Sequence, residues 1–320
     1  MSSIPVLVIT FNRPEHTRRT LEALRVQRPG IVYVFQDGAR NGNADDVEKC
    51  SAVRSVIERS IDWPCELHTY YSECNRGCRE AVIFAISSVL KEHESVIVLE
   101  DDIVTSPAFL SYMQKALDYY KDRKSVFSIS GHSHCTEHFV KPADYPYDVY
   151  ASPRLFNWGW GTWRDRWEKA DWSFSYYEDL MKHPWELEGF LRGGDDLGPM
   201  LQDEHDGRSS AWDIQLAFTH FREHAVSIVP CVSYTHNIGQ DGSGTHCSDC
   251  AKGDIDYSEL NQNENPLFLE NLYFDSRILN AQCSYFSNKK RPLWQKGCNF
   301  IARKLGLKPP FVLKKRIYAE

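Results

Sequence analysis

A chain of 320 residues with 42% apolar and 25% charged residues has the composition of a globular protein, long enough for one large domain or two modest ones. Its net charge of -7 argues against nucleic acid as a partner, and no run reaches the ~20 apolar residues that cross a bilayer. The opening Met1-Ser2-Ser3-Ile4-Pro5-Val6-Leu7-Val8-Ile9-Thr10 has no basic n-region and an apolar run of strand length only, so the expectation is a cytoplasmic protein without a signal peptide, its ten cysteines free thiols.

Val6 to Thr10 reads as the first strand, closed by Phe11-Asn12-Arg13-Pro14. Pro14 suits the first turn of a helix, and Glu15 to Val26 carries Leu21 and Leu24 on one face. Ile31 to Phe35 is a second strand, ending in Gln36-Asp37-Gly38, and Asp45 to Ser60 a second helix with Val47, Val53, Val56 and Ile57 apolar. Glu66 to Tyr71 makes a third strand and Arg79 to Glu92 a third helix. Val96-Ile97-Val98-Leu99 then runs straight into Glu100-Asp101-Asp102, which reads as a fully buried parallel strand with acids at its carboxyl end. A helix from Pro107 to Tyr120 follows, with Ser106 as its expected N-cap. Strand and helix alternate at intervals of roughly thirty residues, the pattern of βαβ units and a mostly parallel sheet, so the fold class is α/β.

After Lys124 the character changes. Val126 to Gly131 is another strand, aromatic residues crowd in from Tyr145, and Leu155 to Trp172 holds five tryptophans. Trp163 and Trp167 are spaced i, i+4 as on a helix and read as core, whereas Trp158 and Trp160, flanked by Gly159 and Gly161, read as faces for a sugar ring. Val226 to Val232 is a late strand, and Gly239 to Gly244 a glycine-rich loop. Cys74-x3-Cys78 and Cys247-x2-Cys250, the latter preceded by His246, contain only one true C-x2-C, so buried or idle thiols are expected rather than zinc.

Thr10-Phe11-Asn12-Arg13, Gln36-Asp37-Gly38, Asn75-Arg76-Gly77 and Glu100-Asp101-Asp102 all end strands or begin loops, and in a parallel sheet those loops share one edge. Three adjacent carboxylates repel one another and are held together most easily by a cation. Their hard oxygens suit Mn2+ or Mg2+, ions that commonly bridge a carboxylate to substrate phosphates. Asp37 could accept from a uracil N3–H or a ribose hydroxyl, and Arg13 and Arg76 could pair with phosphates. An acidic turn, a plain Asp-Gly turn and solvated arginines are the competing readings of the same residues. Asp213, after Trp212, reads either as a general base in an apolar setting or as a helix N-terminal acid, with Asp195, Asp196, Asp203 and Asp206 as rivals.

Residues 6–13 and Leu99-Glu100-Asp101-Asp102 together resemble a nucleotide-diphospho-sugar transferase of the GT-A fold, similar to the N-acetylglucosaminyltransferase I family. That resemblance implies that Asp102 binds Mn2+ and that Glu100 and Asp101 contact the sugar and ribose side of the donor. Phe156-Asn157-Trp158-Gly159-Trp160-Gly161 resembles the family's stretch beside donor sugar and acceptor, and Trp212-Asp213 its tryptophan–aspartate pair, whose Asp is the catalytic base. Gly239 to His246 resembles the loop that orders over bound donor, and His236 is a second candidate metal ligand, with a structural histidine as the alternative. The expected activity is a metal-dependent, inverting glycosyltransferase of the hexosyl or N-acetylhexosaminyl type. It would take a nucleotide-diphosphate sugar, a UDP-sugar first, and a saccharide acceptor such as a surface-polysaccharide or lipid-linked precursor. A sugar-nucleotide nucleotidyltransferase and a non-catalytic nucleotide-sugar-binding module are the alternatives; the first is disfavoured because no glycine-rich loop follows the first strand.

The expected organisation is a catalytic domain over residues 1–250, with a nucleotide half at 1–125 and an acceptor half at 126–250. An extension at 251–287 and a tail at 288–320 follow. The tail holds ten Lys/Arg against one acid, leaving -16 on the rest, and interleaves them with Trp294, Phe300, Leu305 and Phe311. Such a segment suits an anionic membrane surface, placing the protein at the inner face of the membrane; packing on its own acidic body, or an inert solvated tail, is the other reading.

Overall fold

The apolar runs that read as strands enter one sheet in the computed structural model, which describes residues 4–134, 139–239, 260–286 and 317–318. The first part alternates regularly: β1 (Val6–Thr10), α1 (Pro14–Gln27), β2 (Ile31–Gln36), α2 (Ala44–Ser60), β3 (Glu66–Tyr71), α3 (Cys78–Glu92), β4 (Ser95–Glu100). A short β5 (Ile103–Thr105) then precedes α4 (Phe109–Tyr120) and β6 (Val126–Ser130). The later part is less regular. It holds β7 (Phe139–Val140), β8 (Val149–Ser152), β9 (Trp160–Trp163), α5 (Arg164–Trp167), α6 (Tyr177–Lys182), α7 (Pro184–Phe190), α8 (Leu197–His205) and α9 (Trp212–Arg222). After these come β10 (Val226–Pro230), β11 (Thr235–Asn237), α10 (Ser276–Tyr285) and β12 (Ile317–Tyr318).

Eight strands form the sheet in the order β3-β2-β1-β4-β9-β6-β10-β8. β3, β2, β1 and β4 are parallel neighbours, as are β6 and β10; β9 runs antiparallel to both β4 and β6, and β8 antiparallel to β10. Six strands therefore share one direction, and the fold is α/β with a mostly parallel central sheet flanked by helices. The carboxyl ends of β1, β2, β4 and β6 lie along one edge.

Alternation along the strands sorts the core onto two faces. Val6, Val8, Val32, Val34, Ile97 and Leu99 pack with Leu21 and Leu24 of α1, Val53 and Ile57 of α2 and Met113 of α4. Leu7, Ile9, Val96 and Val98 face the other way, against Ala81, Val82 and Ile86 of α3 and Trp212 and Leu216 of α9. Glu100 stands two residues after Val98, so it shares the face that carries α3 and α9. The two halves expected at 1–125 and 126–250 meet in this one sheet. Phe268, Leu269 and Leu272 of the extension pack on the first core face, while Ile278 and Ala281 of α10 pack with Tyr150 and Val229.

Local differences from expectation have identifiable causes. Ser106 does not cap α4: the helix starts at Phe109, the Ser106 carbonyl accepts from the Phe109 amide at 3.1 Å, and its hydroxyl is buried without a partner. Trp163 ends a strand rather than sitting on a helix with Trp167, although both rings are core as expected. Apolar periodicity could not separate a four-residue buried strand from a helical turn there. Among the described residues no helix is long and apolar enough to cross a membrane. The tail at 288–316, the pair Cys247/Cys250 with His246, and residues 240–246 of the glycine-rich loop lie outside the described residues.

Candidate active site

The turn after β1 sends Arg13 to the acids after β4. Its Nη2 pairs with Asp101 Oδ1 and lies 3.1 Å from Asp102 Oδ2, and Nε lies 3.4 Å from Asp101 Oδ2. Burial works against the guanidinium charge, but the two carboxylates more than reverse this and hold it protonated well above its ordinary value. Arg13 Nη1 remains buried without a partner. The Asp101 backbone is tied to the same helix, since Thr20 Oγ1 of α1 donates to its carbonyl at 2.9 Å.

Two acids thus contact one guanidinium, whose charge also reaches Glu100. Burial first, then repulsion from Asp102 and Asp101, pushes the Glu100 carboxyl up to about 8, with Arg13 opposing. Burial also raises Asp101, again against Arg13. Asp213 adds to the repulsion on Glu100, and Glu100 and Asp213 both act on the Cys78 thiol, which burial pushes up to about 12. Cys78 opens α3 and Asp213 lies in the first turn of α9, so the acids after β4 and the acid of α9 belong to one electrostatic neighbourhood. The helix N-terminal position and the candidate base are the same place: Asp213 is a first-turn acid of α9 that also borders the Glu100 site.

Asp37 directly follows β2 and is buried, with its carboxylate committed to the loop after β3. It accepts from the amides of Gly38 at 2.9 Å, Arg76 at 2.9 Å and Gly77 at 3.1 Å, and from Asn75 Nδ2 at 3.0 Å. Burial raises its carboxyl and these donors pull it back. The Arg76 side chain stacks over Phe84 at 4.1 Å, and its Nε is buried without a partner. Thr10 is buried too, its hydroxyl donating to the Phe35 carbonyl at 3.1 Å.

β11 closes the site from the other side. It pairs antiparallel with β5, placing His236 opposite Val104, and the Ile238 amide donates to the Asp102 carbonyl at 2.9 Å. A Cβ on Gly239 would lie 2.1 Å from Asp102 Oδ2, so the glycine-rich loop begins with bare backbone against that carboxylate. Gly159, at φ +75°, fits against Thr235, Ile103 and Leu99. The tryptophans divide. Trp160 (1% exposed) and Trp212 (3%) stack on each other at 5.5 Å in the core and present no ring face to solvent, whereas Trp158 is half-buried. Of the rival acids, Asp196 is held by Arg154 at 2.8 and 2.9 Å, while Asp203 and Asp206 pair with Arg208.

Among the described residues no three His, Cys, Asp or Glu side chains gather as a self-sufficient metal cage. The acids nonetheless fit a hard divalent cation that takes one or two protein carboxylates and completes its shell with substrate phosphates. An acidic trio with a single arginine as counter-charge gains from such an ion. Sequence reasoning read Cys78 only as a buried or idle thiol, without its place beside Glu100 and Asp213, and missed the pair His132 and His134. The histidines directly follow β6, so the rule that singled out the other strand ends could have found them.

A family model described as the GNT-I family matches residues 1–190. No curated protein matches. Among solved structures, a mannosyltransferase from Pyrobaculum calidifontis in complex with GDP-Man and Mn2+ is 20% identical, with a TM-score of 0.35 over 51% of this chain and 45% of that one. The chain therefore covers less than half of that relative's own length. A UDP-glucose pyrophosphorylase complexed with UDP-glucose is 10% identical, with a TM-score of 0.36 over 71% of this chain and 90% of the other. A glucosyl-3-phosphoglycerate synthase from Mycobacterium tuberculosis, with Mn2+, UDP and glucosyl-3-phosphoglycerate, is 9% identical, with a TM-score of 0.31 over 51% and 58%.

Proposed function

The chain belongs to the GNT-I family, and from that membership we propose that it is an inverting, metal-dependent glycosyltransferase moving a sugar from a nucleotide-diphosphate donor, UDP-linked, to a saccharide acceptor. The observation that carries the reading is the shared neighbourhood of Glu100, Asp101, Asp102, Arg13 and Asp213, drawn from β1, β4 and α9 at one edge of the sheet. Asp102 would hold Mn2+ or Mg2+, with His236 as the second candidate ligand. When bound, the ion supplies charge neutralisation for the leaving diphosphate.

The chain's own residues divide the remaining work. Arg13, with Nη1 uncommitted, and Arg76, with Nε uncommitted, would meet phosphate oxygens. Asp37 holds the Asn75–Gly77 loop beside the nucleotide, Glu100 and Asp101 face the donor's sugar and ribose, and Trp158 borders the sugars. Thr10, Gly159, Trp160 and Trp212 shape the pocket from within. Asp213 takes the proton of the acceptor hydroxyl as that oxygen bonds to the anomeric carbon. The bond from that carbon to the diphosphate oxygen breaks on the opposite side, releasing the nucleoside diphosphate with inversion. The basic, apolar-interleaved tail extends the proposal to an anionic membrane surface, where a lipid-linked acceptor would be met.

The test is donor hydrolysis across a panel of nucleotide-sugars with Mn2+, followed by transfer assays with Asp213→Asn. The expected outcome is donor affinity within about threefold of wild type and turnover lower by two orders of magnitude or more, the loss of a general base. Undiminished turnover excludes Asp213 as the base.

A further inference from the structure

Trp158 belongs to a group of rings on the same sheet edge whose other members the chemistry above leaves unused. His134 follows β6, Trp158 precedes β9, and Tyr285 and Phe286 end α10, so the group is drawn from three distant parts of the chain. The His134 ring lies 5.5 Å from Trp158, 5.1 Å from Tyr285 and 5.3 Å from Phe286, centre to centre, and His132 fits edge-on beneath it at 4.6 Å. His132 is buried, whereas the other four rings are each partly open. The Arg154 guanidinium, fixed by Asp196, lies 3.7 Å over Phe286 and stiffens that end of the group.

The group adjoins the acids. β4 and β6 run in the same direction, and the Gly131 amide donates to the Gly159 carbonyl at 2.6 Å. The Trp158 carbonyl accepts from Thr235 Oγ1 at 2.8 Å, and Gly159 rests on Leu99 and Ile103, the residues flanking Glu100–Asp102. One residue therefore separates the ring group from the walls of the carboxylate site. A pyranose has an apolar C–H face that suits the electron-rich face of an aromatic ring, and small-ligand sites are apolar and aromatic with a few polar groups.

We propose that His134, Trp158, Tyr285 and Phe286 line the acceptor subsite, an aromatic corner in which Tyr285 lies at 31° to His134 while Trp158 and Phe286 stand at 65° and 80° to it, so that the apolar face of a pyranose ring meets one ring and its edge the next, with the end of α10 deciding which saccharide fits. The proposal rests on the glycosyltransferase reading and deepens it. Two of the four rings lie beyond residues 1–190, so acceptor choice is set in part outside the segment matched to the family.

Saturation-transfer NMR on the full chain tests it, with methyl β-D-glucopyranoside, methyl β-D-galactopyranoside, methyl α-D-mannopyranoside and methyl N-acetyl-β-D-glucosaminide as probes. At least one glycoside binds the wild type, and Tyr285→Ala weakens it about tenfold, the scale of one lost stacking contact. Phe286→Leu keeps the apolar bulk, and so the packing, but removes an aromatic face; it weakens binding similarly, while Tyr285→Phe stays within about threefold. Absence of binding by every glycoside means that the rings are covered by the chain itself and overturns the proposal, as does equal affinity in wild type and Phe286→Leu. UDP with Mn2+ is titrated into the same samples. Failure of UDP to bind, with ring-dependent glycoside binding intact, would count against the donor reading and leave the saccharide subsite standing.

Discussion

A buried carboxylate needs donors around it, and Asp37 and Asp102 meet that need in opposite ways. Asp37 spends its lone pairs on three backbone amides and one side-chain amide, so its charge builds a loop. Asp102 has one guanidinium contact, at 3.1 Å, and a glycine backbone pressed against it, which leaves acceptor capacity for a cation. His220 shows a third solution, in which the charge is excluded. Its Nδ1 donates to the Leu216 carbonyl at 2.6 Å, so Nε2 must accept from Ser128 Oγ at 3.1 Å, and burial lowers the imidazole to about 4. Its folded value lies below the unfolded value near 6.5, so stability is full above about pH 6.5 and declines as pH falls towards 4. The loss is of order 3 kcal/mol. Urea midpoints measured from pH 8 to 4 should show this slope in the wild type and a flatter profile in His220→Gln. Parallel profiles would contradict the buried neutral imidazole.

At the scale of elements, two junctions set the site. The loop between β3 and α3 is drawn to the end of β2, and Gly38 permits the approach: a Cβ there would lie 2.5 Å from the Cys74 carbonyl carbon and 2.9 Å from its amide nitrogen. Backbone cannot swing aside as a side chain can, so Gly38→Ala should cost about 2 kcal/mol as overpacking does. It should also weaken nucleotide binding, because the loop carrying Arg76 is displaced with it. Chemical unfolding and calorimetry check the two effects; wild-type values for both would refute the close-approach argument. The second junction is the β5–β11 pair, which sets His236 opposite Val104 and lays Ile238 and Gly239 alongside Asp102 although more than 130 residues separate them in sequence. No local pattern signals a three-residue strand pairing across such a distance.

Over the whole molecule, the regular first half was legible because each strand is a continuous apolar run and each helix has a sided pattern, from Val6–Thr10 through Val96–Leu99. The edge shared by Arg13, Asp37, Arg76 and Glu100–Asp102 followed from strand direction alone. Residues 149–163 were not legible: β8 and β9 are four residues each, and the tryptophans of β9 serve both sheet faces. The interior position of Trp160 and Trp212 was hidden for a related reason, since a glycine-flanked indole looks the same in sequence whether it faces a sugar or another indole. The family-matched segment stops at 190, yet β10 lies between β6 and β8, and α9 brings Trp212 and Asp213 to the first half. The site is thus a property of the chain well beyond that segment. Whether the acids after β4 hold a metal-bound nucleotide diphosphate is decided by calorimetric titration of UDP with and without Mn2+ into wild type and Asp102→Ala. Binding should depend on Mn2+ in the wild type and fall at least a hundredfold in Asp102→Ala; equal affinity in the two proteins, or binding indifferent to Mn2+, would rule out a metal site at these acids.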